Sequence, residues 1–126
     1  MGSTQIDRLM RELYAARSSG DLDRVCRVFD PDAKFQIAGA SESGPPGIKA
    51  AGVREFRPLL AFMIKTFRLG ALTIRALDIE GDQATVRWQA DVQSRITGAT
   101  VPTEFIDIAE VRDGKIVNYN EAFIPR

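Results

Sequence analysis

The chain has 126 residues, enough for one domain with a buried core and room for one small-molecule pocket. Seventeen basic and seventeen acidic residues cancel, and no basic stripe runs along the sequence, so a nucleic-acid surface is not expected. Histidine is absent and cysteine occurs once, which excludes His-based nucleophile triads, His-ligated zinc and an internal disulfide.

In chain order, Ile6, Leu9, Met10, Leu13 and Tyr14 recur at helical spacing and predict an amphipathic helix over 4–17, stopped by Ser18-Ser19-Gly20. Asp21 is the expected N-cap of a second helix, with Leu22, Val25, Cys26 and Phe29 on its apolar face. Cys26 on that face reads as a small core hydrophobe. Asp30-Pro31-Asp32 ends the helix, because the residue before a proline is pushed out of helical geometry. A short strand is expected over 34–38. Gly39 to Gly47 (GASESGPPG) is a loop by composition, a candidate rim or lid, stiff at Pro45-Pro46 and hinged at its end glycines. From 50 to 67 the pattern is helical again, with Val53, Phe56, Leu60, Met63, Ile64 and Phe67 as the buried stripe, and Pro58 is expected to kink or split it. Strands are predicted over 71–79, 84–96, 103–111 and 116–124. This order predicts one α+β domain over 1–126, with helices packed on one face of a sheet.

The last two strands carry the chemical signal. Arg112-Asp113-Gly114-Lys115 joins them, and an Asp-Gly turn between alternating runs is a strong hairpin signature. Phe105, Asp107, Ala109 and Val111 share one face of the first strand; Tyr119, Glu121 and Phe123 share one face of the second. Each set is apolar or aromatic apart from one carboxylate. A buried carboxylate costs free energy unless it is paired, hydrogen-bonded or protonated. Two of them in one hairpin point to a lined cavity, although either could instead be satisfied by a neighbouring strand or tyrosine. Asp107 is expected to have a raised pKa, with Arg87 as the evident cation to hold one carboxylate ionised. Asp91, on a face with Arg87, Gln89 and Gln93, is either a pocket group or half of a surface salt bridge. Tyr14 reads as helix core with its hydroxyl at the pocket rim. Without histidine, acid–base chemistry has to run on Asp, Glu, Tyr or Lys. No EF-hand spacing, P-loop or GxGxxG occurs, so neither a metal nor a cofactor is expected. No apolar run approaches a membrane span and MGSTQIDR lacks a signal-peptide core, so a cytoplasmic protein without membrane contact is expected.

Several strings in this order resemble the SnoaL-like and ketosteroid-isomerase-like proteins of the nuclear transport factor 2-like superfamily. They are Gly20-Asp21-Leu22-Asp23, Phe29-Asp30-Pro31-Asp32-Ala33, Val53-Arg54-Glu55-Phe56, Ile106-Asp107-Ile108 and Val111 to Val117. The resemblance implies a cone in which a curved antiparallel or mixed sheet wraps around three helices and encloses a central pocket, often in a dimer. It places Asp107 at the position of the isomerase's oxyanion-donating acid and of the cyclases' proposed general base. Asp91 and Glu121 fall where limonene-epoxide hydrolases keep two carboxylates, and Arg87, Gln89 and Asp91 are turned into the cavity. The chain departs from these patterns. Ile37 stands where the isomerase has its base, Leu13 at its helix-one tyrosine position with Tyr14 one residue off, and Gln89 where the hydrolases need arginine. Phe35 and Ile37 stand at the hydrolases' water-holding positions.

These readings imply an isomerase- or cyclase-type enzyme acting on a neutral hydrophobic carbonyl compound. Asp107 would transfer the proton, Glu121 and Asp91 would be the further carboxylates, and Tyr119, Gln89, Tyr14, Phe105, Phe123 and Arg87 would contact substrate. The alternatives are a non-catalytic ligand-binding or dimerising module, and an epoxide-hydrolase-like enzyme using Asp91 and Glu121. A homodimer is expected through an outer sheet face of Trp88, Val92, Ile106 and Ile108, whose apolar side chains would otherwise be exposed.

Overall fold

In a computed structural model, which describes residues 2–39 and 47–125, three helices and six strands follow in the order α1 (Ser3–Ser19), α2 (Leu22–Arg27), β1 (Phe29–Gly39), β2 (Ile48–Ala51), α3 (Val53–Thr66), β3 (Phe67–Glu80), β4 (Gln83–Ser94), β5 (Thr100–Arg112) and β6 (Lys115–Pro125). The α+β class and the three helices agree with the sequence pattern. The strands form one open mixed sheet in the order β2-β1-β6-β5-β4-β3, antiparallel throughout except for the parallel β1–β6 pair. Register shifts in β3, one of them beside Ala71 at φ 49°, curve the sheet around the helices.

Helix boundaries follow from local chemistry. Gly20 adopts φ 71° and its N–H reaches the carbonyls of Ala16 and Arg17, so α1 stops there in a left-handed cap that a side chain would disfavour. Asp21 caps α2 as expected, its carboxylate accepting from the Arg24 N–H at 3.2 Å. One expectation fails at the start of α3. Ala50 and Ala51, expected in the helix, belong to strand β2, which pairs with β1 from Lys34 to Ile37, and the helix starts only after Gly52, at φ 85°. Of the two outcomes expected at Pro58, a kink or a split, the split does not occur: α3 is one element from Val53 to Thr66. The expected 39–47 lid falls almost wholly on residues outside those described.

The core lies between the helices and the concave sheet face. Ile6, Met10 and Leu13 of α1, Val86 and Trp88 of β4, and Ala109 and Val111 of β5 are all buried in this one core. The facing of β4 corrects the expected dimer surface. Trp88 is 1 % exposed and points into the cone, and Val92 is half-buried against the core, leaving Ile106 and Ile108 of that set on the outer face. Hydrophobic burial decides this: the set Ala84, Val86, Trp88 and Ala90 goes inward, and Arg87 and Asp91 go to solvent.

Candidate functional site

The hairpin β5–β6 aligns Asp107 with Glu121 as direct cross-strand partners, and Phe105 with Phe123, so both carboxylates face the same way. Asp107 is fully buried and Glu121 is 3 % exposed. Three groups converge on one oxygen of Asp107: the Tyr14 hydroxyl donates at 2.6 Å from α1, the Trp88 indole Nε1–H donates at 2.8 Å from β4, and the Tyr119 hydroxyl of β6 shares a hydrogen bond with it. The other oxygen, Oδ1, is buried without a hydrogen-bond partner among the described residues. Phe105 stacks on Trp88 with ring centroids 3.8 Å apart, which fixes the indole that donates to Asp107.

Arg17, one helical turn beyond Tyr14, supplies the cation. Its Nη1 and Nη2 both bond Glu121, the second at 3.2 Å, and Nη1 also donates to the Tyr119 oxygen at 3.0 Å. Asp107 is farther away, at 3.9 Å from Nη1. The guanidinium lies 4.8 Å over the Trp88 ring, and the Arg17 side chain is 9 % exposed. The Tyr119 hydroxyl also lies 3.0 Å from Glu121 Oε2, so one phenol connects the two carboxylates.

Burial pushes the Asp107 carboxyl well above the usual Asp range. The neighbouring Glu121 charge adds to that shift, and Arg17 offsets only part of it. Tyr14 and Tyr119 are pushed up as well, by burial and then by the Asp107 carboxylate, so both hydroxyls keep their protons. Burial alone would lower Arg17, but the Glu121 charge reverses that and keeps the guanidinium charged.

The cluster forms one end of a cavity of about 410 Å³. Arg17 and Glu121 border it; Asp107, Tyr14 and Tyr119 stand behind them and do not. Its walls are apolar, with Phe105 and Phe123 opposite Leu60 and Met63 of α3 and Leu69 of β3. Ile37 also lines it, an apolar group in the position where the resemblance places a base. Among the described residues no group of His, Cys, Asp or Glu is arranged to hold a metal ion.

Of the residues singled out in the sequence, the site assembles Asp107, Glu121, Tyr119, Tyr14, Phe105 and Phe123. It does not include Asp91, Gln89 or Arg87. These occupy the opposite face of β4, with Asp91 and Arg87 exposed, so Asp91 and Glu121 do not converge on one ligand. The polar side of β4 was turned inward by resemblance, whereas the strand's own apolar alternation turns it outward. Tyr14 is not a rim group but a direct donor to Asp107, buried one residue away from the position the resemblance marked. Arg87 is not the cation of the site; Arg17 is. A signal for it was present, since Arg17 follows Met10, Leu13 and Tyr14 at spacings of seven, four and three and is therefore a charge on the apolar stripe of α1.

With this geometry in place, the chain belongs to the SnoaL-like domain family, whose sequence model matches residues 10–119. Its fold is that of the nuclear transport factor 2-like and ketosteroid-isomerase-like proteins. A candidate isomerase from Bacillus subtilis superposes with a TM-score of 0.82 at 22 % identity, over 96 % of this chain and 87 % of that one. IdmH, a candidate polyketide cyclase from Streptomyces antibioticus, gives 0.71 at 24 % identity over 94 % and 90 %. A LEH-like epoxide hydrolase from M. tuberculosis gives 0.75 at 19 % identity over 96 % and 84 %. Comparison with curated proteins gives no match. At these identities the likeness is one of fold.

Proposed function

We propose that the protein is an acid–base enzyme that enolises a hydrophobic carbonyl compound, in an isomerase- or cyclase-type reaction. The observation that carries this reading is the Tyr119 hydroxyl, within hydrogen-bond reach of two carboxylates of which only Glu121 borders the cavity. A phenol has one hydrogen to give. Tyr119 can donate to Glu121 only if the proton between Tyr119 and Asp107 belongs to Asp107, and burial favours that neutral Asp107.

Glu121 is then the carboxylate that meets substrate. It takes a proton from the carbon beside the substrate carbonyl, and the C–H electron pair moves to make the enolate. As Glu121 becomes neutral, the Arg17 charge it had balanced is released to stabilise the enolate oxygen. Return of the proton from Glu121 to a different carbon of the conjugated system completes an isomerisation; in a cyclisation the enolate carbon attacks a second carbonyl, whose π electrons move to its oxygen, and Glu121 returns the proton to that alkoxide. Asp107 and Tyr14 act through Tyr119 as positioning residues, so the proton-transfer role expected of Asp107 passes to its cross-strand partner.

Deuterium uptake beside the carbonyl of 2-tetralone in D2O, followed by proton NMR, tests this. Wild type should accelerate exchange, Glu121→Gln should abolish the acceleration, and Asp107→Asn should slow it and displace its rate–pH profile with ligand affinity kept. Wild type no faster than Glu121→Gln would sink the reading. One observation favours a non-catalytic binder instead: Arg17 engages both oxygens of Glu121. That reading expects ligand binding with no exchange in any variant.

A further inference from the structure

The two ends of the cavity differ in charge. At the floor Arg17 and Glu121 neutralise each other. At the mouth Arg68 of β3 and Arg95, just beyond the end of β4, line the same cavity and are exposed. Among the described residues neither has a carboxylate within ion-pair distance. Both are held in place by their backbones. Arg68 pairs with Gln93 across the β3–β4 ladder, and the Arg95 N–H donates to the Thr66 carbonyl at 2.8 Å. The Arg95 Nε donates to the Ile64 carbonyl at 3.3 Å, and among the described residues its terminal nitrogens have no further partner, so they can face a ligand. The lining holds three arginines and one glutamate, a surplus of positive charge in a chain whose overall charge is zero.

We propose that the ligand is an amphipathic organic carboxylate. Its acidic group binds Arg68 and Arg95 at the mouth, and its apolar body lies against Leu60, Met63, Leu69 and Phe105. Its neutral carbonyl end reaches Arg17 and Glu121. The orientation follows from the charges. A carboxylate sent to the floor would meet the Glu121 charge and an arginine already committed to it, whereas the mouth offers two planar guanidinium groups without a counter-ion among the described residues. This replaces the expectation of a wholly neutral substrate. The placement of the carbonyl end rests on the acid–base reading above; the anion at the mouth stands on the charge arrangement alone.

Isothermal titration with 4-phenylbutanoate and its isosteric amide, 4-phenylbutanamide, separates charge from shape. At low ionic strength the carboxylate should bind wild type roughly tenfold more tightly than the amide, as expected for two partly exposed charge contacts. The preference should vanish in Arg68→Gln/Arg95→Gln, shrink in high salt, and persist in Arg87→Gln, which removes an exposed cation from the other sheet face. Equal affinities in wild type, or undetectable carboxylate binding, overturn the proposal. So does a preference that survives the double substitution, which would place the anion on Arg17. Loss or retention of deuterium exchange does not move this ratio, so failure of the acid–base reading and failure of this one show in different measurements.

Discussion

The two faces of the sheet treat the same kind of side chain in opposite ways. On the concave face Asp107 and Glu121 are shut away from water and surrounded by Tyr14, Trp88, Tyr119 and Arg17. On the outer face, one strand away, Asp91 is exposed and enters no ion pair among the described residues. What sets the inner carboxylates apart is therefore less their presence than what their burial obliges the neighbours to be. Asp107 is met by groups from α1, β4 and β6 and Glu121 by groups from α1 and β6, and those partners limit where protons can go.

The sharpest way to break this contrast is to remove the cation. Arg17→Ala would leave Glu121 charged, 3 % exposed and without its bidentate partner. Stripping one partner from a buried pair costs about 3–5 kcal/mol. Urea denaturation should show a loss of that order, partly recovered in Arg17→Ala/Glu121→Gln, where no charge is left unbalanced. A loss below about 1 kcal/mol would mean that water reaches Glu121 and the inner face is not special.

The second test uses the sign of the Asp107 shift. A carboxyl raised in the fold keeps a proton that the unfolded chain has released. Its contribution to stability is therefore full below the unfolded value of about 3.9 and is lost as pH rises through the folded value. Between those values one retained proton gives a fall of about 1.4 kcal/mol per pH unit. The difference in stability between wild type and Asp107→Asn should follow that slope, because asparagine keeps the shape and loses the titration. Carbon-13 NMR of the carboxyl groups gives a direct reading. Asp107 titrating at the ordinary Asp value would mean that it is solvated.

How much of this was legible in the sequence differs from strand to strand. The β5–β6 hairpin could be read because its alternation and its Asp113-Gly114 turn act within a few residues; Phe105, Asp107, Ala109 and Val111 all face inward as that pattern predicts. In β4 the same alternation was present, and Trp88 was on its apolar side. Turning the polar side inward by resemblance inverted the strand, since a shift of one residue exchanges its faces. In the sequence Arg17 shows only as a charge on the apolar stripe of α1, because its partners lie 102 and 104 residues away and only the tertiary structure brings them to it. The strand β2 follows a glycine- and proline-rich stretch and holds four residues, too few for a period to show.

The outer face yields a smaller and more conditional effect. With Trp88 and Val92 turned inward, a homodimer would have to use Ile106, Ile108 and Ile124, of which the last two are more than 40 % exposed. If that patch joins two copies, Ile106→Asp/Ile108→Asp should halve the mass seen by light scattering at micromolar concentration while leaving the fold and the cavity intact. A wild-type monomer under the same conditions removes the dimer altogether. Either result leaves the carboxylate cluster unaffected, because these side chains lie on the far side of β5 from Asp107.

The smallest expected effect completes the contrast. Asp91→Asn removes a carboxylate of the same type from the same sheet, but from a position exposed to water and outside the main cavity. Surface substitutions of this kind change stability by less than about 0.5 kcal/mol. The Asp91 backbone pairs with Pro102 of β5, and that pairing does not depend on the side chain. Stability, the deuterium-exchange rate and the carboxylate-over-amide binding ratio should therefore all match wild type within error. A fall in exchange as large as that of Glu121→Gln would mean that Asp91 reaches the reacting group, which this register of β4 does not allow. The strand would then have to present its polar side to the ligand, and the assignment of chemistry to the concave cluster alone would fail with it.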